Sequence, residues 1–570
     1  MTTVKPQQLE AVEIIKNDSN YLRGSIASEL NNAVTGSITA NDTQLTKFHG
    51  IYQQDDRDIR KERAKQKLEP LYSFMIRARV PGGICQPAQW LAIDEMADRY
   101  ANNSIRITTR QAFQFHGVIK NKLKATVAAI NQHMMDTIAA CGDVNRNVMC
   151  TANPELSSVH HQVYLKAKDI SDHLTPQTSA YHEIWLNGTK VLAEPKVDHE
   201  PIYGKTYLPR KFKIAVVIPP DNDVDVLAHD LGFIAIVKGG TIKGYNITVG
   251  GGMGATHGDA KTYPLLAQTI GFCHPDQVLN VAENIVKIQR DYGDRTNRKH
   301  ARFKYTVDDR GLGWLKQQLS ERMGQTPEEA YPVHFTHNGD RFGWRENHNG
   351  TWNHTLFIAN GRIKDDETTH LKTALREIAK MHQGDFRLTA NQNLIIAGVA
   401  QADKAQLDRL LNKYTINQQT SLTRQMSMAC VAFPTCGLAM AEAERYLPEL
   451  INHIDNLQVL HQIADRGIMI RMTGCPNGCA RPFIAEIGFV GKALGRYNMY
   501  LGGKPDGTRL NQLYAENINE TEILKKLDHL FSHYAKEAKT DEPFGEFVVR
   551  KKYVRAVTHG KQVHLNWVKS

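Results

Sequence analysis

The chain has 570 residues, 41% of them hydrophobic and 23% charged, which suits a soluble globular protein of several domains and excludes a fibrous or low-complexity chain. The formal charge of +10 fits an anionic partner (nucleic acid, phosphate, or a carboxylate-rich ligand) or a diffuse surface charge that aids solubility. No run approaches the ~20 apolar residues of a membrane span. The N-terminal MTTVKPQQLEAVEIIKND is polar with no apolar signal core, and eight cysteines in so long a chain do not form a secreted disulfide scaffold. A reducing cytoplasm is the expected location.

In chain order, residues 1–70 read as an extended, charged N-terminal arm. The stretch YQQDDRDIRKERAKQKLEP holds too few apolar residues for a core of its own and is expected to drape over another domain or a partner subunit. An internal echo follows. IRARVPGG (76–83) leads to a helical stretch, QWLAIDEMADRY, and a strand, IRITTRQAFQFHGV (105–118). Much later LFIANGR (356–362) leads to a helical HLKTALREIAKMH and then FRLTANQNLIIAGV (386–399). A repeat of this length implies duplication of an αβ module rather than a solenoid. Two such halves related by a pseudo-twofold leave a cleft between them, where ligands commonly bind. The expected organisation is α+β with mixed sheets, three domains around a central cofactor cleft. Residues 71–140 and 340–415 form paired half-domains, 141–339 a second block and 416–570 a third. Strands are expected at LPRKFKIAVVIPP and AEIGFVGKA, and helices near 277–290, near 312–322 and over AMAEAERYLPELINHI. GGGMGA (250–255) satisfies a dinucleotide fingerprint formally, but THGDAKTYP after it starts no amphipathic helix, so it reads as a glycine loop passing close to a bulky ligand.

Four cysteines are grouped in the third block: Cys430 and Cys436 in ACVAFPTCG, Cys475 and Cys479 in TGCPNGCAR. Four soft thiolates imply zinc or an iron–sulfur cluster. Neither the usual zinc knuckles nor the C-x2-C runs of common ferredoxins are present. C-x5-C with C-x3-C implies an assembly wider than one ion, and Pro476 and Gly478 hold an irregular loop whose amides can approach sulfur. Basic residues are also patterned. Lys211 and Lys213, and Arg77 and Arg79, stand two apart on expected strands and so share a face. Arg106 and Arg110 flank a third strand-like run, and Arg146 lies in a polar turn. Cations gathered in this way repel unless an anion joins them.

TGCPNGCAR with ACVAFPTCG resembles the siroheme/iron–sulfur signature of sulfite and nitrite reductases. NYLRG, FHGIYQQDDRDIR, RQAFQFHG, NRN, YLPRKFK and GRYN fit in order along almost the whole chain. The resemblance implies that the paired half-domains are ferredoxin-like and that 141–339 and 416–570 are the two reductase repeats. It implies that Cys430, Cys436, Cys475 and Cys479 hold a 4Fe–4S cluster, with Cys479 bridging to siroheme iron. It places Arg77, Arg146, Lys211 and Lys213 around sulfite, and Arg106, Arg110, Gln114 and His116 at the siroheme periphery. Gly437 departs from the proline common after the second cysteine. The implied activity is six-electron reduction of sulfite to sulfide in assimilatory cysteine biosynthesis. Electrons would come from a separate FAD/FMN flavoprotein (alpha) subunit that oxidises NADPH. Lys213 favours sulfite where nitrite-reducing relatives commonly carry asparagine. The alternatives are a siroheme nitrite reductase, a ferredoxin-dependent sulfite reductase and, from another class, a basic zinc-bearing nucleic-acid-binding protein.

Overall fold

The computed structural model describes residues 9–186, 198–416 and 420–565, so the first eight residues of the expected arm lie outside the described residues. Its strands form four five-stranded sheets. The first runs, side by side, Ile51–Asp55, Tyr72–Ala78, Phe113–Val118, Ile105–Ile107 and Arg362–Ile363; its counterpart runs Gly343–Glu346, Trp352–Leu356, Leu394–Val399, Asp385–Leu388 and Ile84–Cys85. Each sheet ends on a two-residue strand lent by the other copy: Arg362 pairs with Arg106, and Ile84 with Arg387. This reciprocal exchange is the pseudo-twofold foreshadowed by the sequence echo.

The remaining two sheets repeat a second pattern. One runs Gln268–Cys273, Thr241–Val249, Leu231–Lys238, Ile214–Val217 and Met149–Cys150; the other runs Met428–Ala429, Ile470–Thr473, Ile487–Ala493, Arg496–Leu501 and Gln512–Ile518. In both, three strands are parallel and two are added antiparallel. Buried parallel strands read as unbroken apolar runs, and Ile214–Val217 is fully buried.

The expected helices 89–100 and 370–382 form as Pro87–Tyr100 and Leu371–Met381. They meet through Lys372, whose ammonium lies 3.0 Å from Asp94 and 2.6 Å from Asp98. Beneath them Trp90, fully buried, stacks on Phe386 at 4.6 Å and meets Phe113 edge-on at 5.7 Å, so one indole joins the two half-domain cores.

Several expectations need correction. IRITTRQAFQFHGV is a hairpin of two strands, because Gln111 takes a left-handed φ of 49° in the connecting turn; Gln392 does the same at 70° in the second copy. Lys211 and Lys213 precede the strand that begins at Ile214, flanking the bridge residue Phe212. Arg79 leaves the Arg77 face to pair with Asp136 at 2.6 Å. The helix expected from Ala439 begins only at Leu447, because 439–446 is an irregular segment whose amides bond the cysteine loops, as Met440 and Ala441 N–H do to Gly474 O. The arm is not extended throughout: it carries helices Ala11–Asp18, Ile26–Glu29, Ala40–Leu45 and Arg60–Lys65, and Ile51–Asp55 is an edge strand. It crosses the molecule, with Lys16 donating to Leu208 O at 2.7 Å and Arg57 reaching the first cysteine loop.

Candidate active site

Strand register builds the first wall. Arg77 lies opposite Gln114, Gln114 opposite Arg106, and Arg106 opposite Arg362. Cross-strand partners share a face, and His116 shares it with Gln114 by the two-residue period. Arg77 donates to Gln114 Oε1 at 3.0 Å and to Cys141 Sγ at 3.2 Å, while Gln114 Nε2 donates to His116 Nε2 at 2.7 Å. Burial, then Arg362, Arg106 and Arg77, push His116 well below its usual value, so it is a neutral acceptor. Its other nitrogen lies 3.4 Å from Thr435 Oγ1, next to Cys436. Arg106 is held by Glu444 at 2.8 Å and donates to Ala429 O at 3.0 Å, beside Cys430; Glu444 also takes Arg362 at 2.7 Å. Arg106 therefore ties the sheet to the first cysteine loop.

The second wall is cationic. Burial, then Arg210 and Arg302, bring Lys211 down to about 7, and burial, then Lys211 and Arg110, push Lys213 well down. Burial, then Arg146, lowers Arg110 to about 9. Arg110, Lys213 and Arg302 line a small cavity with Cys479, and Arg210 and Lys211 line an adjoining one that Arg302 also borders. Arg146 is oriented by Gly142 O at 2.7 Å, and Arg302 by Asp230 at 2.9 Å. Burial alone would raise Asp143, yet Arg298, Lys16 and Arg210 hold it below the ordinary carboxylate range. The Nε atoms of Arg77, Arg110 and Arg302 are buried without a protein partner.

The four cysteines neighbour one another, and Cys479 borders the cavity. Burial raises the Cys430 thiol well above its usual value, and Cys479, Cys475 and Cys436 raise it further; burial, then Cys479, takes Cys475 to about 12. Thiols that oppose one another's ionisation in this way bind as thiolates only if a cationic centre joins them. Among the described residues no three His, Cys, Asp or Glu groups are spaced to hold a single metal ion. Gly474 N–H points at Cys430 Sγ at 3.3 Å, a backbone donor of the kind that stabilises thiolate ligands. Cys479 is exposed and lines the small cavity with Arg110, Lys213 and Arg302. Cys85, Cys150 and Cys273 are buried, with thiols pushed up mainly by burial.

The glycine loop lines this cavity through Met253 and Gly254 and also braces the cysteine loop. Ala255 N–H donates to Pro476 O at 2.8 Å, and Gly478, with φ +62°, sits so close to Met253 O that a Cβ would stand 2.8 Å away. The loop buttresses CPNGC, and buried Lys304 holds it through Gly252 O at 3.1 Å and Gly254 O at 2.6 Å. Gly437 has open space where a Cβ would point, so its departure from proline relieves no crowding.

The profile described as nitrite and sulphite reductase 4Fe-4S domain matches residues 166–327, and that of the nitrite/sulfite reductase ferredoxin-like half domain matches 66–133 and 345–414. A sulfite reductase (NADPH) hemoprotein beta-component of Anoxybacillus flavithermus is 58% identical over 97% of each chain. The chain belongs to the nitrite and sulphite reductase family. A relative of the same description in Myxococcus xanthus is 56% identical over 96% of this chain and 98% of its own. The solved structure of the Mycobacterium tuberculosis NirA protein shares the fold, with TM-score 0.76 over 96% and 97% of the two chains at 22% identity. The stretch 166–327 contains Cys273 alone; the four clustered cysteines lie in the block that repeats its sheet pattern.

Of the residues expected at the site, Arg77, Gln114 and His116 are joined by hydrogen bonds on the first sheet, Arg110 and Lys213 line a small cavity with Cys479, Lys211 lines the adjoining one, Arg146 is near enough to bear on Arg110 and Lys211, and Arg106 bonds beside the first cysteine loop. Sequence reasoning missed Arg210, Arg302, His229, Arg57 and Arg481. Arg210 adjoins Lys211 in LPRKFK and was within reach of the same argument. Arg57 lies in a quoted motif, yet its grip on Cys436 O and Ala439 O, both at 2.8 Å, carries no sequence signal.

Proposed function

We propose that this chain is the hemoprotein component of an assimilatory NADPH-dependent sulfite reductase, reducing sulfite to sulfide by six electrons. The carrying observation is that Cys479 lines one small cavity with Arg110, Lys213, Arg302 and Arg481. In this reading Cys430, Cys436, Cys475 and Cys479 hold a 4Fe–4S cluster, and the cleft holds siroheme. Buried arginine Nε donors without protein partners suit its carboxylates. The bound centres supply electrons and a site for the substrate sulfur.

The chain's own residues do the rest. Arg77, Arg146, Lys211 and Lys213 attract and orient a dianion, and arginine forks fix oxyanion geometry. Each oxygen that leaves as water needs two protons. Lysines brought toward neutral pH by burial and neighbouring cations hold a proton at Nζ that can be given up and replaced from solvent. Arg106, Arg110, Gln114 and His116 face the macrocycle edge in this assignment. Residues 71–140 with 340–415 serve as the paired half-domains, and 141–339 with 416–570 as the two reductase repeats. Among the described residues no helix is long and apolar enough to cross a membrane, which suits a cytoplasmic enzyme meeting a flavoprotein partner.

The test is iron and acid-labile sulfide analysis, an optical spectrum, and turnover with sulfite and nitrite using a reduced one-electron donor. We expect four cluster irons and one macrocycle iron per chain, Soret and red absorption, and sulfite favoured. A colourless protein with full zinc occupancy would refute the reading.

A further inference from the structure

Arg481 and Asp225 occupy the same position in the two repeats. Each stands six residues before the third parallel strand of its sheet, Leu231–Lys238 or Ile487–Ala493, and each opens a short helical turn, Val226–Ala228 or Pro482–Ile484. Each also adopts the left-handed backbone, with φ 51° at Asp225 and 54° at Arg481, which side-chain-bearing residues rarely do. These two equivalent residues bond to each other: Arg481 Nε donates to Asp225 Oδ2, with both side chains buried. The rest of the Arg481 fork is as symmetric. Nη1 donates to Thr109 O at 3.1 Å and Nη2 to Ala390 O at 2.9 Å. Thr109 and Ala390 are themselves equivalent, the residues after the repeated threonine in ITTRQ and LTANQ. One guanidinium thus holds its own counterpart and both copies of the half-domain turn.

This node lies next to the chemistry. Arg481 is two residues after Cys479, and Thr109 Oγ1 donates to Cys479 O at 3.1 Å. Arg110, the next residue, lines the cleft with His229, 3.4 Å away. Asp225 is fixed from its other sides by Arg471 at 2.7 Å and Asn338 at 2.6 Å. We infer that Arg481 is a positioning residue that sets the Cys479 loop against the Arg110 turn, and thereby the alignment of the two redox centres. This rests on the reductase reading above. Three acceptors in three directions need a planar fork, which lysine cannot reproduce.

The experiment uses the holoenzyme with Arg481→Lys, Arg481→Gln and Asp225→Asn. Hydrogen exchange is followed in peptides covering 108–112 and 389–393, alongside the spin-coupling signature of the two centres and kcat and KM for sulfite. We expect Arg481→Lys and Arg481→Gln to deprotect both turns together and to alter the coupling signature. Iron and labile sulfide should stay at wild-type level, KM within about twofold, and kcat should fall roughly ten- to a hundredfold, as for misplaced reacting groups. Asp225→Asn should act in the same direction with a smaller effect. Deprotection of one turn only, or of both with coupling and kcat unchanged, would overturn the inference and leave Arg481 a structural tie. If a variant loses its centres, Asp225→Asn decides. A wild-type enzyme lacking siroheme or cluster would instead refute the reductase reading, so the two failures are distinct.

Discussion

Lys211 shows how far a single residue's chemistry is set by its neighbours. An ammonium in water stays charged far above neutrality, but burial and the flanking Arg210 and Arg302 bring this one to about 7. The sign follows directly. Below its pKa Lys211 carries both the charge that draws an anion and a proton to give; as pH rises through that value it loses both. We expect kcat/KM for sulfite to fall on the alkaline side. Lys211→Arg, which keeps the charge but gives up no proton, should move that limb to higher pH and lower kcat roughly ten- to a hundredfold. A pH profile of the variant superimposable on wild type would show that Lys211 is not the titrating group. The residue types were legible: cations at 77, 79, 106, 110, 146, 211 and 213 stood out as a set, from which the fold removes Arg79 to Asp136. Their counterions were not, because Glu444 and Asp230 reach Arg106 and Arg302 from distant parts of the chain.

At the scale of elements, the hairpin 105–118 carries most of the first wall. Its apolar alternation was readable, but its turn was not, since the left-handed residue there is Gln111 rather than glycine. The same substitution of signal hid the turn at Gln392. Helix Pro87–Tyr100 was readable from its apolar spacing, yet its main energetic act is tertiary. Trp90 packs between Phe113 of one copy and Phe386 of the other. Trp90→Ala should destabilise the protein by about 3–5 kcal/mol, as for other large aromatic truncations in cores. Chemical denaturation of the cofactor-loaded enzyme checks this; a loss below 1 kcal/mol would mean that the half-domains are held together elsewhere.

For the whole molecule, crowding cations into one cleft is unfavourable in the absence of an anion. Occupants of the folded cleft stabilise the native state by mass action. We expect sulfate to raise the melting temperature of cofactor-free chain more than chloride at equal ionic strength, by about 2 °C or more. The loaded enzyme should show no such difference; equal responses to the two salts would argue against an anion-seeking cleft. The duplicated architecture was visible in the echo of IRITTRQ and FRLTANQ, because strand period and turn chemistry are local. The cysteine spacing pointed to soft-metal chemistry for the same reason: ligand type and loop shape are written in a few adjacent residues. The amino-acid order alone therefore determined the repeat, the grouping of soft thiols and part of the cationic set. What only the folded chain decided is who faces whom. The strands exchanged between copies, the glycine loop braced against CPNGC, and Arg481 closing on Asp225 join residues hundreds of positions apart, and no local pattern specifies such contacts because they form only when two sheets settle against each other.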